Sequence, residues 1–202
     1  MLRNLIISSL IFLLSFGFLV YDTAKVLAKD EEQQYYFALK ANYIWFDGDF
    51  EKFEELEKDI GGRLIFGATK DIYTCEFSYS YSEHNIINSS PNLTAELESL
   101  NLSIKVTPMS LIEKRCQPYG LIGYGITRLS VQDLIDLKYE GKGFHLGFGI
   151  NCKLGNKIAV DGSVAYYRYN MDKVELLGVE LSLPEDTILI NTIASLGIKY
   201  YF

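Results

Sequence analysis

The chain has 202 residues, 49% hydrophobic and 14% aromatic, with 15 Tyr and 12 Phe beside one Trp and a formal charge of −7. That acidic balance supplies no basic face for phosphate neutralisation, which excludes nucleic-acid binding. A chain this aromatic buries ample apolar surface, which excludes disorder, and 16 Gly with only 4 Pro among so many tyrosines leans toward strands.

The first element is a leader. Arg3 is the only charge before Asp22, residues 5–20 are an unbroken run of apolar and small side chains, and Val26-Leu27-Ala28 puts small or branched residues where a signal peptidase reads. Cleavage is expected after Ala28, dividing the chain into a signal peptide, 1–28, and a domain, 29–202. The apolar run is shorter than the ~20 residues a spanning helix requires, and no later run is as long, so a helical membrane protein is excluded.

Beyond the leader the pattern has period two, as strands with two different faces require. Residues 35–45 set Phe37, Leu39, Ala41 and Tyr43 against Lys40 and Asn42. The connection 47–59 carries seven acids and two lysines, and its Phe50, Phe53 and Leu56 predict a short amphipathic helix capping a rim. Asp47, Asp49 and Glu51 have calcium-ligand chemistry, but the Gly is misplaced for an EF-hand loop, so no metal is assigned. Residues 63–69 place Leu64, Phe66 and Ala68 on one face, with Arg63 opposite, and Lys70-Asp71 predicts a tight turn.

In residues 72–82, Tyr73, Cys75, Phe77, Tyr79 and Tyr81 alternate with Thr74, Glu76, Ser78, Ser80 and Ser82. A long connection, 83–94, holds His84. Residues 99–107 set Leu100, Leu102, Ile104 and Val106 against Asn101, Ser103 and Lys105, and a moderate turn covers 108–115. Residues 119–131 are Gly-rich and leave their apolar face undecided. After a long connection, 132–142, Phe144, Leu146, Phe148, Ile150 and Cys152 oppose His145, Asn151 and Lys153. Beyond the turn at 155–157, residues 158–166 put Ile158, Val160 and Val164 opposite Asp161. The connection 170–186 leads to a last strand, with Ile188, Ile190, Ala194, Leu196, Ile198, Tyr200 and Phe202 facing away from Asn191, Ser195, Gly197 and Lys199.

The count is eight strands whose connections alternate long and short, an all-β, up-and-down antiparallel transmembrane β-barrel with long loops at one rim and tight turns at the other. Alternation alone does not say which face is inside, since a soluble lipocalin-like barrel alternates too. Tyr35, Tyr43, Trp45, Tyr73, Tyr79, Tyr81, Tyr200 and Phe202 lie near strand ends, where a membrane interface accommodates a ring with a polar tip, and this argues for lipid. The polar face then lines the lumen, where Lys40, Arg63, Glu76, Lys105 and Lys153 are expected to pair as a charge network. Cys75, Cys116 and Cys152 fall near one set of strand ends. Cys75 and Cys152 point to lipid, and a Cys116–Cys152 disulfide suits neighbouring strands provided Cys116 faces the same way.

The C-terminus, Ser195-Leu-Gly-Ile-Lys-Tyr-Tyr-Phe202, resembles the β-signal of outer-membrane proteins at Ser195, Gly197, Tyr200 and Phe202. The resemblance implies that the barrel-assembly machinery receives this strand by edge pairing. Pro118-Tyr119-Gly120-Leu121-Ile122-Gly123-Tyr124-Gly125 and Tyr167-Arg168-Tyr169 resemble the small outer-membrane β-barrel superfamily, which takes in opacity-type surface proteins and the transmembrane domain of the outer-membrane protein A family. That resemblance implies the outer membrane of a Gram-negative-type bacterium and outer-membrane lipid as a partner. It also implies a role as adhesin, envelope-stabilising protein or narrow pore.

Resemblance to a lipid A deacylase of this barrel size would imply a His closely followed by Ser on a late strand, facing the lipid, with a carboxylate nearby. His145 is instead followed by Leu146-Gly147 and reads as a lumen filler, while His84 falls in an outer loop, so no enzyme and no cofactor are assigned. The expected function is a non-enzymatic surface or envelope protein whose loops meet a host or neighbouring-cell surface. The alternatives are a narrow porin-like channel and a soluble periplasmic ligand-binding barrel.

Overall fold

The computed structural model describes residues 33–48, 56, 59–86, 94–132, 137–176, 179–183 and 187–202. In chain order the strands are β1 (Gln34–Gly48), β2 (Asp59–Lys70), β3 (Tyr73–Asn85), β4 (Thr94–Val106), β5 (Cys116–Gln132), β6 (Leu137–Lys153), β7 (Ile158–Leu176), β8 (Val179–Ser182) and β9 (Ile188–Tyr201). Neighbours pair antiparallel from β1 through β7, β7 then pairs with β9, and β9 returns to β1 to close the ring. The short β8 hydrogen-bonds only to the upper end of β7 among the described residues, so the closed wall has eight strands.

The faces settle which medium surrounds the wall. Phe144 and Leu196 point outward and are 66% and 63% exposed, whereas Lys105 and Asp161 point inward and are 3% and 0% exposed. A soluble barrel needs the reverse arrangement, because an apolar exterior of this extent does not persist in water. The ligand-binding alternative is thereby overturned. The apolar belt covers five or six outward positions on most strands, for instance Tyr35 to Trp45 on β1 and Cys116 to Ile126 on β5, close to the ~10 residues a tilted strand needs to cross a membrane. The fifth strand is now oriented, with Ile122, Tyr124 and Ile126 outward and Tyr119, Thr127 and Leu129 inward.

The links at the lower rim are short. Asp71 opens the β2–β3 turn in the left-handed region, at φ 53°, which Asp tolerates better than most residues. The link from β4 to β5 contains a single 3-10 turn, Met109–Leu111.

At the upper rim the strands outrun the sequence-based expectation. β3 continues to Asn85, β4 starts at Thr94, β6 at Leu137, and the connection 170–186 contains the rest of β7 and the β8 hairpin. The reason is that the alternation changes phase rather than stopping. Inward positions there become apolar (Ala95, Leu97, Leu129, Val131), while the outward ones between them become polar (Glu96, Glu98, Arg128, Ser130). Of the acidic connection after β1, Leu56 forms an antiparallel bridge to Ile86. The rest of the expected helix there, Asp49 and Glu51, and the leader with its cleavage point at Ala28 lie outside the described residues.

Candidate functional site

The lumen holds two layers of opposite chemistry. In the lower one, strand parity turns Lys40 of β1, Glu76 of β3, Lys105 of β4, Asp161 of β7 and Lys199 of β9 inward at one depth. Asp161 is the hub. Lys40 donates to it, Lys199 Nζ lies 2.9 Å from Oδ2, Lys105 Nζ lies 3.7 Å from Oδ2, and Tyr119 Oη donates to Oδ1 at 2.8 Å. Glu76 takes Lys105 at 2.6 Å, Lys199 at 3.5 Å and the hydroxyl of Tyr36. Lys105 also lies 4.1 Å from the centre of the Tyr119 ring and Lys199 4.5 Å from that of Tyr36, so rings cover faces of the ammoniums that carboxylates do not reach. Lys40 makes one further bond, to Ser163 Oγ at 3.2 Å.

Two glycines make room for this cluster. A Cβ at Gly197 would lie 2.0 Å from the Leu39 carbonyl oxygen and 2.6 Å from Lys40 Cγ, and one at Gly67 would lie 2.3 Å from Cζ of Tyr36. Of the residues marked as an assembly signal, Gly197 therefore has a structural role as well. Ser195 donates to Asn42 Oδ1 at 2.7 Å across the closing β1–β9 seam, while Tyr200 and Phe202 face outward, their rings 5.7 Å apart.

The expected charge network is corrected at both ends. Lys40, Glu76 and Lys105 come together, but Arg63, though opposite Lys40 in the β1–β2 register, places its guanidinium against Tyr167, and Lys153 is half-buried at the lower rim with no acid paired to it among the described residues. Parity gives the face but not the depth, and Lys153 lies one residue inside the turn. Asp161 and Lys199 complete the network, together with two groups that sequence reasoning missed, Tyr36 and Tyr119. Tyr36 shares its parity with Lys40, which was the signal available.

The upper layer is apolar. Ile44, Leu97, Leu129, Met171, Leu189 and Ile193 are buried together inside the wall, with Phe46 and Tyr139 packed against them. Between the layers lies a polar belt in which Ser99 and Thr127 hydroxyls are 2.9 Å apart, Tyr169 Oη donates to Asn101 Oδ1 at 3.0 Å, and His145 Nε2 meets Ser103 Oγ at 2.8 Å. That Ser–His contact lacks the features of an activated nucleophile among the described residues. His145 is 1% exposed, its Nδ1 has no orienting partner among the described residues, and its ring is stacked on Tyr167. His84 is not in a loop: β3 carries it inward, fully buried, with Nε2 2.8 Å from Ser82 Oγ and its ring edge-on to Phe46.

Outside, the upper rim carries exposed ion pairs. Arg128 donates to Glu140 at 2.6 Å through Nη2, and Lys142 pairs with Asp172 at 2.7 Å; that hydrogen bond and charge hold the Lys142 ammonium above its usual range. At the lower rim Cys116 and Cys152 stand opposite each other at the end of the β5–β6 ladder and form a disulfide, Cys116 facing the same way as Cys152; Cys75 is free and faces outward.

Residues 10–202 match the family model described as outer membrane protein beta-barrel domain. No curated protein matches the sequence. Among solved structures, Neisserial surface protein A superposes with a TM-score of 0.64 at 14% identity over 85% of this chain and all of its own. OprG from Pseudomonas aeruginosa gives 0.56 at 15% identity over 84% of this chain and 94% of its own. The attachment invasion locus protein Ail of Yersinia pestis, in complex with the heparin analogue sucrose octasulfate, gives 0.50 at 13% identity over 84% and 97%. At such identities the likeness concerns the fold.

Proposed function

Because the chain belongs to the outer membrane protein β-barrel domain family, we propose that it serves as a non-enzymatic surface protein of the envelope, sealed along its axis and acting through the segments above the outer leaflet. The observation that carries this reading is the doubly filled lumen. Among the described residues an ion cluster fills the lower half of the lumen and an apolar core the upper half, which supports a barrel interior packed with side chains over an open pore.

Two features support action at the upper rim. The wall itself continues above the apolar belt, presenting charged outward positions such as Glu83, Glu96 and Arg128 to solvent. Proteins of like fold include one named as a surface protein and one named for attachment and invasion. In this reading the leader is cleaved after Ala28, and the strand ending in Phe202 is handed to the barrel-assembly machinery by edge pairing.

The test is cell adhesion. Bacteria displaying the full chain are expected to bind cultured host cells or neighbouring bacteria, and chains shortened within 49–58 or 87–93 are expected to reach the membrane, run as heat-modifiable barrels and lose that binding. Binding unchanged by both truncations contradicts the surface reading. Rapid swelling of vesicles in small sugars would favour the channel instead.

A further inference from the structure

Arg63 stands apart from every acid among the described residues. Its guanidinium reaches across the lumen from β2 to a point 5.5 Å from the centre of the Tyr167 ring on β7, and its Nε and Nη2 have no hydrogen-bond partner there. The aromatic stack it faces leads to a second unpartnered donor. Tyr167 stacks between His145, at 4.6 Å, and Tyr169, at 6.0 Å. Tyr169 occupies the oxygen of Asn101, while the amide nitrogen of Asn101, a residue only 2% exposed, is buried without a partner.

The charge count sharpens this. Between the two rims the described lumen wall turns Lys40, Arg63, Lys105 and Lys199 inward against Glu76 and Asp161, four cations to two acids. A buried lysine can shed its proton, but an arginine keeps its charge under all ordinary conditions. Arg63 is partly buried, with its Nε and Nη2 shielded and unpartnered; holding a guanidinium this way without a counter-charge is unfavourable, so Arg63 calls for an anion that the described side chains do not supply.

The geometry points to a small inorganic anion of the halide class held in mid-lumen by the Arg63 guanidinium, with the Asn101 amide as second donor. A monatomic ion suits the place, because the ion cluster and the apolar core occupy the lumen below and above. This goes beyond the proposed surface function and does not depend on it.

The test compares refolded protein in micelles in gluconate with chloride or bromide at equal ionic strength, reading the midpoint of the heat-modifiable transition. The midpoint is expected to rise saturably by several degrees with halide. Arg63→Gln and Arg63→Met are expected to lose the dependence, and Arg128→Gln at the outer rim to keep it. Crystals grown in bromide are expected to give an anomalous peak within hydrogen-bond distance of Arg63, a readout that stands even if the Arg63 variants fail to fold. A wild-type midpoint indifferent to halide, dependence surviving in Arg63→Gln, or a lumen holding water alone in bromide crystals would each overturn the assignment while leaving the sealed-barrel reading intact.

Discussion

The lower and upper halves of this barrel solve the same problem with opposite materials. Where the wall meets lipid, its outside is apolar, so its inside takes the polar side chains, and those must neutralise one another: Asp161 and Glu76 are surrounded by three lysines and two tyrosine hydroxyls. Where the wall rises into water, the outside carries Glu96, Glu98 and Arg128, and the inside becomes an ordinary apolar core around Leu97 and Leu129. One strand spans both regimes by shifting its apolar residues from one parity to the other. The difference teaches that the surrounding solvent, not the strand, decides which face is hydrophobic, and that the shift marks the upper edge of the membrane.

The two halves should therefore fail differently. Asp161→Asn leaves three ammoniums facing one carboxylate in a buried site and is expected to lower the unfolding free energy in vesicles by about 3–5 kcal/mol; a loss below about 1 kcal/mol would show that the lower half is not held by charge. Leu129→Ala should cost about 3 kcal/mol by cavity formation in the upper core, and because that core is apolar the loss should be the same at low and high salt. Urea titrations at two ionic strengths check both variants, and a marked salt dependence for Leu129→Ala would blur the distinction.

Cys116→Ser removes a cross-link spanning 36 residues below both layers and is expected to cost about 2–3 kcal/mol. Reduction of the wild type with dithiothreitol should lower its urea midpoint to that of the variant, and a wild type indifferent to reductant would mean the bond does not form. The smallest effect belongs to the exposed rim pair: Arg128→Ala should change stability by no more than about 1 kcal/mol. A larger loss there would place Arg128 in a drier setting than the phase shift assigns it.

Much of the lower half was legible in the sequence, because a face of constant parity such as Phe144, Leu146, Phe148 and Ile150 is hard to read any other way. The upper half was not, for a physical reason. In β4, Leu100 and Leu102 share one parity while Ala95 and Leu97 share the other, and a change of phase ordinarily signals that a strand has ended. In a wall that crosses two solvents it signals the opposite: β3 runs on to Asn85, carrying His84 inward, and β4 already begins at Thr94. Within the candidate site, parity identified Lys40, Glu76 and Lys105 as lumen residues. Parity does not say where a long side chain ends: Arg63 stands opposite Lys40 in the β1–β2 register, yet its guanidinium goes to Tyr167, while Lys153 stops at the lower rim.

The central claim, that two independent layers seal the lumen, is tested most directly by single-channel recording in planar bilayers. The wild type, Asp161→Asn and Leu129→Ser should each stay silent apart from brief small leaks, since one layer remains in every case, and only a chain carrying changes in both layers should give sustained steps. Sustained conductance from the wild type would contradict the account.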